Sequence, residues 1–337
     1  MAAITSVHSD FYRRQLSPAE GALYDGLLPA ILEGKSSCTV NALQVKNLGR
    51  VIHALVLDWP ETFFWKDPAT RYSLQGGGPV FTYRFELAYR YPPSECALKR
   101  QRVKDAAQTI LRGCEGKSAF ERVAYLYDVL AGMVSYGTEI TPQQYATIEG
   151  PLLEARGICS GIARAFKYLA NLAGVSCLVV HGRCPNPKGV VESHAWNIVQ
   201  VDGHCHHVDA TWGNQQGRVS RAYLALSDTE IQYDHTFTGN WPQPGCSTSR
   251  CPLPTANGIP ALAEALLLQK ALGLPVTELR VTGVPGDNSE LLRQLGKHCS
   301  FGKKGRCFQA LKGIAYNPSN RMLYAYWKKK GLFSIFH

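Results

Sequence analysis

The stretch Gly157-Ile158-Cys159-Ser160-Gly161 runs directly into a segment of periodic apolar residues that ends at Gly174. The periodicity predicts a helix that begins at Cys159 and is closed by Gly174. The unpaired N–H groups and the positive dipole end of a helix stabilise a thiolate relative to a thiol. The position of Cys159 therefore makes it a candidate nucleophile.

A β-hairpin is predicted downstream, with a two-residue turn at Asp202-Gly203. The alternation of apolar and polar residues predicts one strand from Ser193 to Val201, and a second strand follows from His204 to Ala210. Antiparallel pairing across this turn brings together residues whose numbers add up to about 405. His194 then falls near Asp209, so we expect the hairpin to place an imidazole beside a carboxylate.

These two groups are the partners that a thiol nucleophile needs. An imidazole holds the thiolate as an ion pair and later protonates the leaving group, and a carboxylate fixes the tautomer of the imidazole. The sequence contains all three groups in the order Cys159, His194, Asp209. The alternative for Cys159 is a small buried cysteine without chemistry, and the two matching partners favour catalysis.

The order of these motifs resembles the transglutaminase-like superfamily of papain-type thiol enzymes. The matching residues are Gly157-Ile158-Cys159-Ser160-Gly161, His194-Ala195-Trp196-Asn197 and Asp209-Ala210-Thr211-Trp212. The resemblance covers about residues 115–245 and is closest to bacterial proteins of the superfamily. It implies that Cys159 is the nucleophile, His194 the acid/base and Asp209 the orienting acid. It also implies an α+β papain/transglutaminase-like core, in which the nucleophile helix packs on an antiparallel sheet.

The chain divides into three predicted regions. Residues 1–115 are an N-terminal covering region of helices and strands, residues 116–250 the transglutaminase-like catalytic core, and residues 251–337 a small basic α+β appendage. In the covering region, Ser17-Pro18-Ala19-Glu20 predicts the capped start of a helix. Apolar spacing predicts a second helix over residues 39–57.

Patterning also predicts the elements of the appendage. They are a helix at 258–272, a strand at 276–281, a helix capped by Asp287 or Asn288, and a hairpin of strands at 308–316 and 322–327. We expect this appendage to follow the catalytic core as a separate unit.

Acyl transfer to a thiol needs hydrogen-bond donors aimed at the developing oxyanion. The backbone N–H of Cys159 is one candidate, and the side chain of Gln143 or Gln144 is another, because many relatives carry a Gln upstream of the nucleophile. A surface amide is the alternative for either Gln. The candidate residues of a substrate groove are aromatic: Trp196, Trp212, Trp241 and Tyr145.

A further aromatic cluster lies in the covering region, where Asp58–Trp65 contains four aromatics in eight residues. Clustered aromatics mostly bury area, which favours core or interface packing, and a groove is the alternative.

The run His204-Cys205-His206-His207 contains metal-ligating residue types. On a strand, however, His204 and His206 share a face while His207 points away, and no second ligand cluster follows at metal spacing. We therefore predict no metal and no cofactor. Cys246 and Cys251 could clip a loop or bind zinc with distant ligands, but a single pair more simply marks the end of the core.

The composition is that of an ordinary globular chain, 45% hydrophobic and 18% charged over 337 residues. The start lacks the features of a signal peptide, and no stretch approaches the ~18–20 apolar residues of a membrane span. We therefore expect a cytoplasmic protein. The 11 cysteines form no regular framework, which favours reduced thiols.

The net charge of +10 is concentrated near the C-terminus. Residues 293–330 contain ten basic and no acidic side chains. This region could bind an anionic partner such as nucleic acid, a lipid surface or an acidic protein, and a solvated basic face is the alternative. The oligomeric state is left open by the sequence.

The sequence therefore predicts a cysteine peptidase or amidase that acts on peptide or protein amides through an acyl-thioester on Cys159. If an amine takes up the same acyl group, the activity becomes that of a protein-glutamine amine transferase. A third hypothesis is a non-catalytic binding module that uses the basic C-terminal region. That hypothesis predicts a broken triad, which the sequence does not show.

Overall fold

The structure is a computed structural model that describes residues 10–76, 78–137, 143–186, 189–214, 218–239, 241–272, 275–300 and 302–328. The chain forms two compact units. The first comprises Met1–Val219, Tyr223–Asp228 and His235–Arg250, and the second comprises Ser220–Ala222, Thr229–Asp234 and Cys251–His337. The predicted covering region and most of the predicted catalytic core thus share one unit, while residues 220–222 and 229–234 of that core belong to the second. The boundary between covering region and core stays a prediction.

The first unit begins with two helices and a three-stranded sheet. In chain order the elements are α1 (Pro18–Glu33), β1 (Ser37–Leu43), α2 (Leu48–Asp58), β2 (Arg71–Gln75), β3 (Val80–Glu86), α3 (Pro93–Leu111) and α4 (Ala119–Met133). The predicted cap of α1 is confirmed, because the Ser17 side chain accepts from the Glu20 N–H while the Glu20 carboxylate accepts from the Ser17 N–H.

The helix predicted over residues 39–57 is wrong in its first part. Residues 37–43 form β1, which pairs antiparallel with β3 in a sheet of order β1-β3-β2. The helix starts only at Leu48, where the Asn47 side chain caps it by accepting from the Arg50 N–H at 3.1 Å. The β-branched residues Thr39 and Val40 suit a strand, and the pairing with β3 outweighs the helical spacing of the apolar residues.

The remaining elements of the first unit surround the predicted nucleophile. They are β4 (Ser135–Tyr136), β5 (Arg156–Gly157), α5 (Cys159–Leu172), β6 (Ser176–Pro185), β7 (Val191–Val201), β8 (His204–Val208), α6 (Ala210–Gly213), β9 (Leu224–Leu226), α7 (Asp228–Ile231, whose last three residues belong to the second unit) and β10 (Thr236–Phe237). Five of the strands form one antiparallel sheet in the order β10-β6-β7-β8-β9. The register predicted for the hairpin is confirmed, since Asn197 pairs with Val208 and Ile198 with His207.

Helix α5 is buried between two parts of the core. Ile162, Phe166 and Leu169 pack into a cluster with α3, α4 and the sheet. Ala163, on another face, packs against residues of α1 and α2. Because its first residue is Cys159, the best-packed helix of the unit carries the candidate nucleophile. The fold is α+β, with the nucleophile helix packed on an antiparallel sheet as predicted.

The second unit is a four-stranded sheet with three helices. Its elements are β11 (Thr255–Asn257), α8 (Gly258–Ala271), β12 (Val276–Thr282), α9 (Asn288–His298), α10 (Gly302–Gln309), β13 (Leu311–Asn317) and β14 (Met322–Trp327), with strand order β11-β12-β14-β13. The predicted hairpin is confirmed in its main part. Its first strand begins only at Leu311, because Cys307 and Phe308 belong to α10 and pack there against the apolar core.

Some of the basic charge of this unit is already paired. Lys304 lies 2.5 Å from Glu264, and Arg293 donates to Glu290 at 2.6 Å. Binding of an anionic partner through residues 293–330 stays a prediction, and Lys329 and Lys330 lie outside the described residues. Among the helices in the described ranges, none has the length and apolar character required to cross a membrane.

Candidate active site

The first turn of α5 is held by a short segment that precedes it. The Ile158 N–H donates to the Tyr145 carbonyl at 3.0 Å. A Cβ atom at position 161 would lie 2.1 Å from that same carbonyl oxygen, so only glycine lets the segment approach so closely. This close approach explains why the last residue of the motif, Gly161, is a glycine. Cys159, which is half-buried, is the first residue of the helix that this contact holds in place.

His194 and Asp209 lie next to each other, as the hairpin register indicates. The Nε2 atom of His194 is 2.7 Å from Oδ2 of Asp209, and both side chains are buried. The sequence pattern predicted that the second strand extends through Asp209 to Ala210, but the strand ends at Val208. Oδ1 of Asp209 accepts from the N–H groups of Thr211 and Trp212 at 2.9 and 3.1 Å and so caps α6, which begins at Ala210.

The three groups shift one another's ionisation. Burial opposes the charge on His194, yet the negative charge of Asp209 and the hydrogen bonds raise its pKa well above the usual value. Burial likewise opposes ionisation of Cys159, but the hydrogen bond and charge of His194 and the Ala195 N–H lower its pKa overall. Both shifts favour a thiolate beside an imidazolium over a neutral thiol beside a neutral imidazole.

Asp209 stays ionised despite its burial. Burial alone would raise the pKa of Asp209, but the charge and hydrogen bond of His194 and a second hydrogen bond from His235 bring it well below the usual range. The Nε2 atom of His235 lies 3.0 Å from Oδ2 of Asp209. Sequence analysis missed His235, because it lies 26 residues after Asp209 and no local spacing links the two.

Tyr136 is a second residue that sequence analysis did not single out. Its strand β4 pairs in parallel with β5, so Tyr136 lies opposite Gly157 and beside the start of α5. Tyr136 is 47% exposed, and its partial burial and the charge of Cys159 raise its pKa to about 12. Gln143 is exposed and Gln144 half-buried, and an oxyanion role for either stays a prediction.

The four aromatic groove candidates differ in accessibility. Trp196 is only 1% exposed and its ring stacks at 6.1 Å from that of His194, so it supports the imidazole from within and does not line a surface groove. Trp241 is also buried, under the guanidinium of Arg50 at 3.8 Å. Trp212 and Tyr145 are half-buried and remain groove candidates.

Three metal-ligating side chains away from Cys159 lie close together, the buried His207 and Cys246 and the half-buried Asp228. The Nε1–H of Trp196 donates to Nδ1 of His207 at 3.1 Å, and Nε2 of His207 lies 2.8 Å from Asp228. Because Trp196 can only donate, the proton of a neutral His207 is on Nε2 and points to Asp228. That leaves no free lone pair on His207 for a metal ion in this arrangement. The absence of a metal stays a prediction.

Comparison with known proteins identifies the family. Residues 104–210 match the family model described as "Transglutaminase-like superfamily", and this range includes Cys159, His194 and Asp209. Residues 104–210 are therefore a domain of the transglutaminase-like superfamily, a superfamily of thiol enzymes, which confirms the resemblance drawn from the three motifs.

Two curated relatives match part of the chain. Kyphoscoliosis peptidase of Mus musculus is 30% identical over 110 residues, which are 30% of this chain and 17% of that protein. Kyphoscoliosis peptidase of Homo sapiens is 40% identical over 63 residues, which are 17% of this chain and 10% of that protein. The matching segments thus span less than a fifth of the length of either relative.

Solved structures resemble the chain more remotely. A TGase crystal structure aligns with a TM-score of 0.32 and 11% identity, over 66% of this chain and 57% of the other. The periplasmic domain of TgpA from Pseudomonas aeruginosa aligns with a TM-score of 0.26 and 16% identity, over 52% of this chain and 72% of the other. At these scores the structures add nothing to the family assignment.

Proposed function

We propose that this protein is a cysteine peptidase or amidase that cleaves peptide or protein amides through an acyl-thioester on Cys159. The observation that carries the proposal is the combination of a thiol of lowered pKa at a helix start with His194, which is 2.7 Å from a buried carboxylate. A cysteine that only packs in the core does not require an imidazole and a carboxylate beside its thiol.

The reaction follows from the two nitrogens of His194. Since Nε2 faces Asp209, Nδ1 is the atom available to the thiol. The Cys159 thiolate attacks the amide carbonyl carbon, and His194 donates its Nδ1 proton to the leaving amine as the C–N bond breaks. His194 then takes a proton from water, the resulting hydroxide displaces the acyl group, and the thiol is released as the thiolate.

Two donors support stabilisation of the oxyanion. The backbone N–H of Cys159 lies at the N-terminus of α5, where no helical carbonyl is available to it. Tyr136 pairs with Gly157, two residues before Cys159, and the charge of Cys159 acts on its hydroxyl, which supports a place for this hydroxyl beside a carbonyl attacked by the thiol. We assign both to the oxyanion site in this proposal.

The first test is the rate of iodoacetamide modification of Cys159 as a function of pH, followed by mass spectrometry of that peptide. An ordinary thiol titrates near pH 8.5, whereas a lowered pKa keeps the rate high well below that value. We expect the low-pH reactivity in the wild type, its loss in His194→Ala, and its retention in His204→Ala, an exposed histidine of the same hairpin. Titration near pH 8.5 in the wild type contradicts the proposal.

The second test separates hydrolysis from transfer. A peptide library is incubated with the protein, with and without a labelled amine, and Cys159→Ala is the negative control. We expect Cys159-dependent hydrolysis. Incorporation of the amine in place of hydrolysis identifies the transferase instead, and no reaction with either acceptor overturns both.

A further inference from the structure

A cavity in the first unit brings two guanidinium groups close to the start of α5. Its polar wall is formed by Asp67, Arg90, Thr147 and Arg164, and Trp65 contributes to the apolar wall. Trp65 belongs to the aromatic cluster for which the sequence left core packing and a groove as alternatives. In the structure Trp65 is buried and lines this cavity.

The cavity borders the helix that carries the candidate nucleophile. Arg164 follows Cys159 by five residues on α5, a rise of about 7.5 Å along the helix axis and a turn of about 140° around it. The charge of Cys159 nevertheless acts on the Arg164 guanidinium. Nη1 of Arg164 donates to the Ala146 carbonyl at 2.8 Å, and Ala146 follows Tyr145, which holds the Ile158 N–H. The Thr147 carbonyl would lie 3.0 Å from a Cβ at Gly161. The single segment 145–147 therefore borders both the first turn of α5 and the cavity.

The cavity has an excess of positive charge. Asp67 is the one acidic side chain among its described lining residues, against Arg90 and Arg164, and it forms no ion pair with either. In the same described residues the Nε atoms of both arginines are buried without a hydrogen-bond partner. Both guanidiniums thus retain unused donors in a buried place.

The pKa values of Arg164 and of the nearby His181 are both lowered. Burial, with opposition from Asp67, lowers the pKa of Arg164 to about 10. Burial together with His53 and Arg164 lowers the pKa of His181 to about 4. A guanidinium presents its donors in a plane that matches the two oxygens of a carboxylate. A carboxylate is therefore an anion that complements these guanidinium groups.

We propose that Arg90 and Arg164 bind a carboxylate of the substrate and so direct Cys159 towards acidic peptides. This inference rests on the proposed peptidase or amidase function. The carboxylate belongs either to an Asp or Glu side chain near the cleaved amide or to a free C-terminus. Asp67 competes with it for the two guanidiniums and limits the affinity.

The test compares two reagents that attack the same thiol, anionic iodoacetate and neutral iodoacetamide. The ratio of their rates at Cys159 reports the local potential, because both displace iodide by the same reaction. We expect Arg90→Gln and Arg164→Gln each to lower this ratio about threefold or more. Asp67→Asn should raise it. The matched control is Arg102→Gln, which removes an exposed arginine of α3 and should leave the ratio unchanged.

The ratios are measured at pH 6 and at pH 8.5, where an ordinary thiol is also ionised. The potential is therefore tested even if Cys159 turns out to be unactivated, which would overturn the proposed function alone. Equal ratios in wild type, Arg90→Gln and Asp67→Asn overturn the inference. Asp67→Asn removes a charge without shortening the side chain, so it provides a test even if Arg164→Gln does not fold.

Peptide substrates then identify the source of the carboxylate. One series carries an Asp, Glu, Asn or Gln side chain near the cleaved amide, and the other ends in a free or an amidated C-terminus. We expect kcat/KM to favour the acidic member of one series in the wild type and to lose that preference in Arg90→Gln. No preference in either series contradicts the inference.

Discussion

At the scale of single residues, the site depends on the different hydrogen-bond partners of the two carboxylate oxygens of Asp209. Oδ1 accepts from two backbone N–H groups of α6, and Oδ2 faces the Nε2 atoms of His194 and His235. All four contacts are with hydrogen-bond donors, so the carboxylate remains ionised although it is 1% exposed. The hydrogen bonds to α6 fix the orientation of the Asp209 carboxylate. The carboxylate in turn orients the imidazole of His194.

Asp209→Asn is expected to abolish the activation of Cys159. The amide keeps one oxygen for the cap on α6 and turns its NH₂ group towards His194, which then has to be unprotonated at Nε2. His194 therefore carries its proton on Nδ1 as a neutral ring and no longer stabilises a thiolate. We expect the iodoacetamide rate at pH 6 to fall about 100-fold, as the thiolate fraction drops.

The matched control for this change is Asp228→Asn, which alters a carboxylate that lies 2.8 Å from a different buried imidazole, His207. It should leave the rate at Cys159 near the wild-type value. Equal rates in Asp209→Asn and the wild type would show that the carboxylate does not control the thiol.

At the scale of elements, the contact between α5 and the segment 145–147 decides where the thiol stands. Helix α5 begins with the main chain of Ile158 bound to Tyr145, and Gly161 leaves room for both the Tyr145 and Thr147 carbonyls. An added methyl group there meets backbone atoms, which cannot rotate away as a side chain can.

Gly161→Ala is therefore expected to be harmful although alanine is the better helix former. The intrinsic gain of about 1 kcal/mol in helix propensity is smaller than the cost of displacing the segment. We expect a lower midpoint in urea and at least a tenfold lower iodoacetamide rate at pH 6.

The control is Gly132→Ala in α4, where the new Cβ would lie 3.4 Å from a methyl group of Val219, at the lower limit of ordinary contact. It should leave stability unchanged or raise it by up to about 1 kcal/mol without affecting the thiol. A stable and fully reactive Gly161→Ala protein would contradict the importance of this contact.

At the scale of the first unit as a whole, the buried Asp58 connects the N-terminal elements. Its carboxylate accepts from the N–H groups of Tyr12 and Arg13 at 3.2 and 2.9 Å and from the Tyr24 hydroxyl at 3.1 Å. Lys167 of α5, also buried, donates to the Cys177 carbonyl at 2.8 Å and attracts Asp58. Asp58, the last residue of α2, is thus hydrogen-bonded to α1 and to the segment before it, and the charge of Lys167 on the nucleophile helix favours its ionised form.

Asp58 is expected to make stability depend on pH. Burial, only partly offset by Lys167 and three hydrogen bonds, raises its pKa to about 6 in the folded protein. The unfolded chain has a value near 3.9, so the folded state binds the proton more tightly. The free energy of unfolding should therefore fall as the pH rises from about 4 to about 6, by at most about 3 kcal/mol, and change no further above that.

Urea unfolding of the wild type and Asp58→Asn between pH 4 and pH 8 measures this effect. Other groups titrate in both proteins, so the difference between the two curves is the quantity to compare. As the pH rises from 4 to 6, the free energy of unfolding should fall more in the wild type than in Asp58→Asn. Parallel curves would show that Asp58 keeps a normal pKa.

The sequence alone determined the features that depend on neighbours along the chain. The helix start at Cys159, the capping box of α1 and the hairpin register that brings His194 to Asp209 all follow from spacings of a few residues. Such features are set by local hydrogen bonds and by the two-residue turn, so they can be read without the fold. The family followed from the same three motifs.

Only the tertiary structure decided which distant residues join the site. His235 and Tyr136 come from separate elements, and no spacing connects either of them to Cys159. The same reason explains two corrections. Residues 37–43 became a strand because β3 pairs with them, and Trp196 became a buried support for His194 because the rings of His207, His235 and Phe237 pack against it. Pairing and burial are decided by partners far away in the chain, and local patterning does not record them.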